Sequence, residues 1–178
     1  LPDFTYPAPM NTIIHSGAKP IIIDVNRMNW TINEKEITKA ITIKTKAIMV
    51  VHTYGQIANM DRIKRIAKKN KLIVIEDCAE ALGSKYRNKM VGNLSDCSTF
   101  SFYGNKIITT GEGGIVVFKR KEHADLAKIL RNQGKTDTKN FINKYIGFNF
   151  RMTNIQAAIG LGQLKKIAKL YNKRRKIF

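Results

Sequence analysis

Short apolar runs punctuate a strongly polar chain, and each has the length of a buried strand. Residues 21–25 (Ile-Ile-Ile-Asp-Val), 46–51 (Lys-Ala-Ile-Met-Val-Val) and 72–75 (Leu-Ile-Val-Ile) are three of them, and the third ends on Glu76 and Asp77. Residues 99–102 and 115–118 predict two more strands. Between the runs the period lengthens to that of a helix. Thr31-Ile32-Asn33 offers caps for a short helix over 34–41, because short polar side chains accept from the free amides of a first turn. Asn59 caps a second helix, with Ile63 and Ile66 on one face and Arg62, Lys64, Lys68 and Lys69 largely outside. Residues 123–132 predict a third, with Gly134 as a left-handed C-cap. Thr153-x-x-Gln156 is a capping box that opens a long final helix, whose apolar positions Ile159, Leu164, Ile167 and Tyr171 fall at near-helical spacing. Residues 135–144 read as a polar loop, and 1–9 as a proline-punctuated, abrupt start.

Strands that alternate with helices need crossover connections, which predicts an α/β fold: a mainly parallel sheet with helices on both faces. The stretch 98–118 holds two strands with no helix between them, so part of the sheet is expected to be antiparallel. No repeat or low-complexity linker divides the 178 residues, and one domain is the simplest organisation.

Composition narrows the classes. A chain that is 43% hydrophobic and 25% charged is globular rather than disordered. No apolar run has the length of a membrane span. Cys78 and Cys97 form no Cys-x-x-Cys pair and join no histidine cluster, so zinc is not expected, and free thiols fit a reducing cytoplasm. The formal net charge is +19. That charge suits either a polyanionic partner or a lysine-rich surface spread over every helix. The lysines are scattered and lack the interleaved aromatics of a nucleic-acid stacking platform, which favours the second, although the excess still draws an anionic substrate. The basic tail (Lys165, Lys166, Lys169, Lys173, Arg174, Arg175, Lys176) reads in the same way as a solvated helix face.

Candidate chemistry centres on residues 101–114, Ser-Phe-Tyr-Gly-Asn-Lys-Ile-Ile-Thr-Thr-Gly-Glu-Gly-Gly. Lys106 sits beside an apolar pair, Ser101 lies five residues before it, and Gly111-x-Gly113-Gly114 makes a tight turn after it. A lysine among apolar neighbours is held less protonated than one in water, and a neutral amine attacks a carbonyl carbon. Spacing alone does not single it out from 32 lysines and arginines. Asp77 closes an apolar strand, at the edge where open α/β sheets bind ligands.

This segment resembles the lysine segment of the DegT/DnrJ/EryC1/StrS family of nucleotide-sugar aminotransferases. The similarity extends to Pro2-Asp3-Phe4-Thr5-Tyr6, to residues 50–56 (Val-Val-His-Thr-Tyr-Gly-Gln), 75–83 (Ile-Glu-Asp-Cys-Ala-Glu-Ala-Leu-Gly) and 147–153 (Gly-Phe-Asn-Phe-Arg-Met-Thr), and to the Arg174-Arg175 pair. The wording around Lys106 and the acid at Glu80 are closest to the perosamine-synthase branch. The resemblance implies the large domain of a type I, aspartate-aminotransferase-like transferase dependent on pyridoxal 5′-phosphate. It implies that this chain is part of that domain, without the family's upstream phosphate-cradling segment and C-terminal small domain. Lys106 would carry the cofactor as a Schiff base and then act as general base and acid. Asp77 would pair with the ring nitrogen, Tyr6 would stack on the ring, and Glu80 would touch the cofactor side. Ser101 would donate to its phosphate, and Asn149 would reach the phosphate of a neighbouring subunit in a homodimer. Arg151 would lie near the same seam, while His52 and Tyr54 would be structural. The substrates would be an amino donor, glutamate, and a nucleotide-linked keto-deoxy sugar destined for a surface polysaccharide. Two other readings stand beside this one: a related sugar dehydratase, in which histidine replaces the lysine, and a non-catalytic basic module or inactive fragment.

Overall fold

The computed structural model describes residues 1–137 and 142–177. The chain opens with α1 (Pro7–His15), started by a proline in its first turn, where a missing amide costs nothing. Asn33 then caps α2 (Glu34–Ala40) by accepting from the Lys35 amide. Strand β1 (Ala47–Val51) leads through a 3₁₀ turn (Thr53–Gly55) to α3 (Met60–Lys69), which Asn59 caps through the Arg62 amide. Strand β2 (Ile73–Asp77) follows, then a hairpin of β3 (Lys85–Tyr86) and β4 (Lys89–Met90). Its two turn residues, Arg87 and Asn88, both have positive φ (46° and 66°), the twist that matches a two-residue hairpin. Strands β5 (Cys97–Ser101) and β6 (Gly114–Phe118) precede α4 (Lys121–Leu130). A small pair, β7 (Lys135–Asp137) and β8 (Ile142–Asn143), precedes α5 (Asn154–Leu164) and α6 (Ile167–Arg175).

The main sheet has the order β1-β2-β5-β6, parallel at the first two interfaces and antiparallel at the last. This is the α/β sheet the strand–helix alternation predicts, with its antiparallel pair in 98–118. Burial alternates along β2: Val74 and Glu76 point into the core, and Ile75 and Asp77 to the other face. The core gathers Ile48, Val50 and Val74 from the sheet, Ile37 from α2, and Met60, Ile63 and Ala67 from α3. Ile63 is buried and Ile66 packs partly buried against the same cluster, as the helical spacing predicts.

Five expectations change. Residues 21–25 form no sheet strand; the segment is tied by single bridges, Ile23 to Pro2 and Val25 to Ile32, and only Ile23 of its three isoleucines packs on the core. The start of the chain, expected to be irregular, contains α1. The final helix is two helices. At Lys166 the backbone leaves helical geometry (φ −108°, ψ 7°) and the Lys166 amide closes onto Gln163 three residues back. The expected polar loop at 135–144 contains β7 and β8, and residues 138–141 lie outside those described. Helix α4 ends earlier than expected, at Leu130 with Arg131 as its C-cap; Gln133 (φ 59°) and Gly134 (φ 71°) are both left-handed beyond it, and the Gly134 amide returns to the Ile129 carbonyl.

Candidate active site

Parallel pairing aligns Val51, Asp77 and Thr99, so Asp77 stands at the carboxyl edge of a central strand. Two bonds extend the ladder past that edge, from the His52 amide to the Asp77 carbonyl (3.1 Å) and from the Cys78 amide to the Thr99 carbonyl (2.8 Å). The Asp77 carboxylate accepts from the Ala79 amide at 2.9 Å. Burial pushes its proton affinity above the ordinary value; the Ala79 amide and the charge of Lys106 pull the other way without prevailing. Asp77 is thus a desolvated acid at the sheet edge.

Lys106 lies on the loop that joins β5 to β6, so antiparallel pairing returns both ends of the loop to one place. The neck is closed by the Phe102 amide on the Gly113 carbonyl and the Thr110 amide on the Phe102 carbonyl, both at 2.9 Å. Ile108 and Thr110 are buried and anchor the far limb. Helix α5 grips the same limb, because Gln163 accepts from the Thr109 amide at 2.9 Å. The Lys106 ammonium is 3.5 Å from the Glu80 carboxylate. Glu80 is itself oriented by the Tyr54 amide at 2.8 Å. Tyr54 adopts φ +52°, a strained backbone for a bulky residue, and this aims its N–H at the carboxylate. Asp77, Glu80 and Lys106 therefore share one sheet edge, two acids and one amine within electrostatic reach.

Behind that edge is a second acid. Glu76 is fully buried and accepts four hydrogen bonds: from His52 Nε2 (3.0 Å), the Gly92 amide (3.2 Å), the Leu94 amide (3.1 Å) and the Ser95 hydroxyl (2.7 Å). Burial opposes its charge, yet these bonds hold its carboxyl below the ordinary value. His52 Nδ1 accepts from the Ala58 amide at 3.4 Å, which leaves the proton on Nε2, facing Glu76. The donor atoms of His52, Glu76 and Cys78 lie within 4.8 Å of one another, the spacing of a metal site. Their chemistry does not suit one. Both histidine nitrogens are engaged, and burial with the adjacent Glu76 and Asp77 charges drives the Cys78 thiol far up, away from the thiolate a metal needs. This trio is a structural brace under the site.

The other expected residues are placed as follows. Ser101 ends β5 next to the lysine loop, and its Oγ accepts from the Tyr103 amide at 3.2 Å. Tyr6 precedes α1 and is 79% exposed; among the described residues no hydrogen bond or ring contact ties it to Asp77 or Lys106. Asn149 lies on a different part of the chain, bridged to Asn132 at the end of α4, and accepts from Arg151 Nε at 3.2 Å. Two residues assigned no part in the site from the sequence also meet it. Tyr54 contributes its amide, and Arg174 donates to the carbonyls of Asn105 and Lys106, both at 3.0 Å. Arg174 is exposed, like the rest of the basic face expected there, and in addition binds the lysine loop. The pairing of Tyr54 with Gly55 was the one local hint of a tight turn. Arg174 acts across 68 residues; the sequence marked it only as half of the Arg174-Arg175 pair in the resemblance, with no role.

An aldehyde cofactor with a protonated ring nitrogen and a phosphate fits this donor set. The amine is on a closed loop, the desolvated carboxylate faces the same edge, and a hydroxyl ends the neighbouring strand. Among the described residues the buried Thr5 and Thr53 hydroxyls and Asn132 Oδ1 have no hydrogen-bond partner.

The DegT/DnrJ/EryC1/StrS aminotransferase family model matches residues 1–178. A GDP-perosamine synthase of Caulobacter vibrioides is 47% identical over 94% of this chain and 45% of its own length. Among solved structures, Helicobacter pylori PseC, an aminotransferase of pseudoaminic acid biosynthesis, superposes with a TM-score of 0.91 at 37% identity, over 97% of this chain and 47% of its own. A candidate sugar aminotransferase of Streptococcus pneumoniae in its PMP form gives a TM-score of 0.94 at 29% identity, over 99% and 50% of the two chains; the same protein has been solved with PLP. The chain spans about half the length of these relatives.

Proposed function

Because the chain belongs to the DegT/DnrJ/EryC1/StrS aminotransferase family, we propose that it carries the lysine-bearing part of a pyridoxal-phosphate site that aminates a nucleotide-linked keto-deoxy sugar. Its relatives' names and the geometry of one edge support this reading. The observation that carries it is the Lys106 ammonium 3.5 Å from Glu80, on the edge where Asp77 stands desolvated.

Pyridoxal phosphate supplies an electron sink that stabilises negative charge developing on the carbon next to the transferred nitrogen. Asp77 would hold the cofactor's ring nitrogen in its protonated form, and its burial would strengthen that pairing. Lys106 Nζ would hold the cofactor through its aldehyde and would serve as the base that takes a proton from the α-carbon of the amino donor and as the acid that gives it back. Glu80, fixed by the Tyr54 amide, keeps the lysine side chain pointed along the edge. The Ser101 hydroxyl binds the phosphate, and Tyr6 covers the ring. We assign the donor as glutamate and place Asn149 at the phosphate of a second subunit, which makes the working unit a homodimer. No helix among the described residues is long and apolar enough to cross a membrane; with its free thiols, the protein is assigned to the cytoplasm.

The test is covalent. The full-length protein is mixed with pyridoxal phosphate, reduced with borohydride and mapped by mass spectrometry. One pyridoxyl group on Lys106 is the expected product, and Lys106→Ala should lose the visible absorbance of the mixture. Labelling spread over surface lysines, with none at Lys106, overturns the assignment.

A further inference from the structure

Helix α6 touches both halves of the proposed site. Near its end, Arg174 Nη2 donates to the consecutive carbonyls of Asn105 and Lys106, each at 3.0 Å. Among the described residues no backbone amide donates to either carbonyl, so the guanidinium is their protein partner. One turn earlier, Tyr171 lies against Gly83, on the segment that carries Asp77 and Glu80. A Cβ built on Gly83 would stand 2.9 Å from the tyrosine ring, so only glycine admits this approach. The break at Lys166 lets α6 leave the line of α5 and take this position.

We infer that α6 is a strut that fixes the lysine loop against the carboxylate segment, and that Arg174 is a positioning residue for the Lys106 amine. The inference deepens the proposed function and rests on it only for the role of Lys106. The physics is that of a tether on the main chain. Lys106 has a flexible four-carbon side chain, and its ammonium sits 3.5 Å from Glu80 in a half-exposed setting. Such a pair is weak by itself and does not hold a backbone in place. Two charge-assisted bonds from one nitrogen, Nη2, to the carbonyls on either side of the lysine Cα do, because they fix two consecutive peptide planes against the same group. The loop neck is closed by β5–β6 pairing and its far limb by Gln163; the main chain around Asn105 and Lys106, turned locally by the Lys106 amide on the Tyr103 carbonyl (3.0 Å), is tied across to α6 by Arg174.

Two measurements on the full-length protein test this, comparing wild type, Arg174→Ala, Arg174→Lys and a Lys173→Ala control. The first is amide hydrogen exchange of the cofactor-free protein over the peptide spanning 103–110. The second is the fraction of pyridoxyl label found on Lys106 rather than on surface lysines after reduction. In Arg174→Ala, exchange of that peptide should accelerate about fivefold to tenfold, the factor implied by losing two modest hydrogen bonds. Peptides from β1 and β2 should be unchanged, and the Lys106 share of label should fall severalfold. Arg174→Lys, which keeps a charged nitrogen donor on a shorter, non-planar head group, should restore part of both, and Lys173→Ala should match wild type. Unaltered loop exchange and Lys106 labelling in Arg174→Ala overturn the inference. If Arg174→Ala loosens every peptide, Arg174→Lys decides by the same criteria. Should wild type itself fail to label at Lys106, the cofactor reading is lost, while hydrogen exchange still judges the strut.

Discussion

Glu76 and Asp77 are neighbours in sequence with opposite environments, and their titrations oppose each other. Glu76 has a lowered proton affinity, so its stabilising contribution is complete above its ordinary value of 4.5 and drains away as the pH falls below it. Asp77 has a raised one, so its contribution is complete below 3.8 and is lost as the pH rises through its folded value. Glu76→Gln should cost about 2–3 kcal/mol at neutral pH, since it leaves buried amides facing an NH₂ group, and should remove the acid limb belonging to Glu76. Asp77→Asn should leave the neutral-pH melting temperature of the cofactor-free protein unchanged or raised, because the carbonyl oxygen can keep the Ala79 bond while the buried charge disappears. Melts from about pH 4 to 7 read both effects; a clear destabilisation by Asp77→Asn would refute the desolvation argument. The strand-end position of Asp77 and the motif around Lys106 were legible in the sequence. The burial of Glu76 was not, since two adjacent acids give no sign of which one turns inward until the sheet face is known.

At the scale of elements, helices with polar stops were legible and joints without them were not. Asn33, Asn59 and Thr153 all cap where their chemistry predicts. Thr153 and Gln156 close a full capping box, and Gln156 also donates to the Glu112 carbonyl at 3.2 Å, tying α5 to the turn after the lysine. Thr153→Ala should lower stability by about 1 kcal/mol, seen as a lower urea midpoint with an unchanged slope; an unchanged midpoint would mean the cap contributes nothing. The joint between α5 and α6 escaped because apolar spacing runs through it and neither proline nor glycine marks Lys165 and Lys166. Residues 21–25 look like a strand by composition, but strand identity depends on a neighbour, and only single bridges reach them.

Over the whole molecule, the strand–helix alternation was enough to give the α/β sheet, while the long-range ties that complete the site were hidden. Each of these ties (Tyr54 to Glu80, Gln163 to Thr109, Arg174 to the lysine loop) joins residues far apart in the chain. The surface carries the +19 charge, but it also shows Ile155, Leu161 and Leu164 of α5 at half exposure or more, close to the limb that α5 grips. Apolar side chains so placed suit the second copy proposed above. The melting temperature of the full-length protein should then climb with concentration, by about 2–4 °C per tenfold. A midpoint independent of concentration would count against the homodimer.

The alternation along β2 also makes mispairing self-defeating. A shift of that strand by one residue would turn every side chain over. Aspartate, a methylene shorter, would then enter the pocket beside His52 and fail to reach the four donors that glutamate satisfies. Glu76 would move back to the position of Ile75 on the opposite face, and Cys78 would take the place of Asp77 at the edge. The wrongly threaded molecule would lose its internal brace and the acid at its sheet edge in a single event, so strand alignment and the proposed site depend on the same two carboxylates.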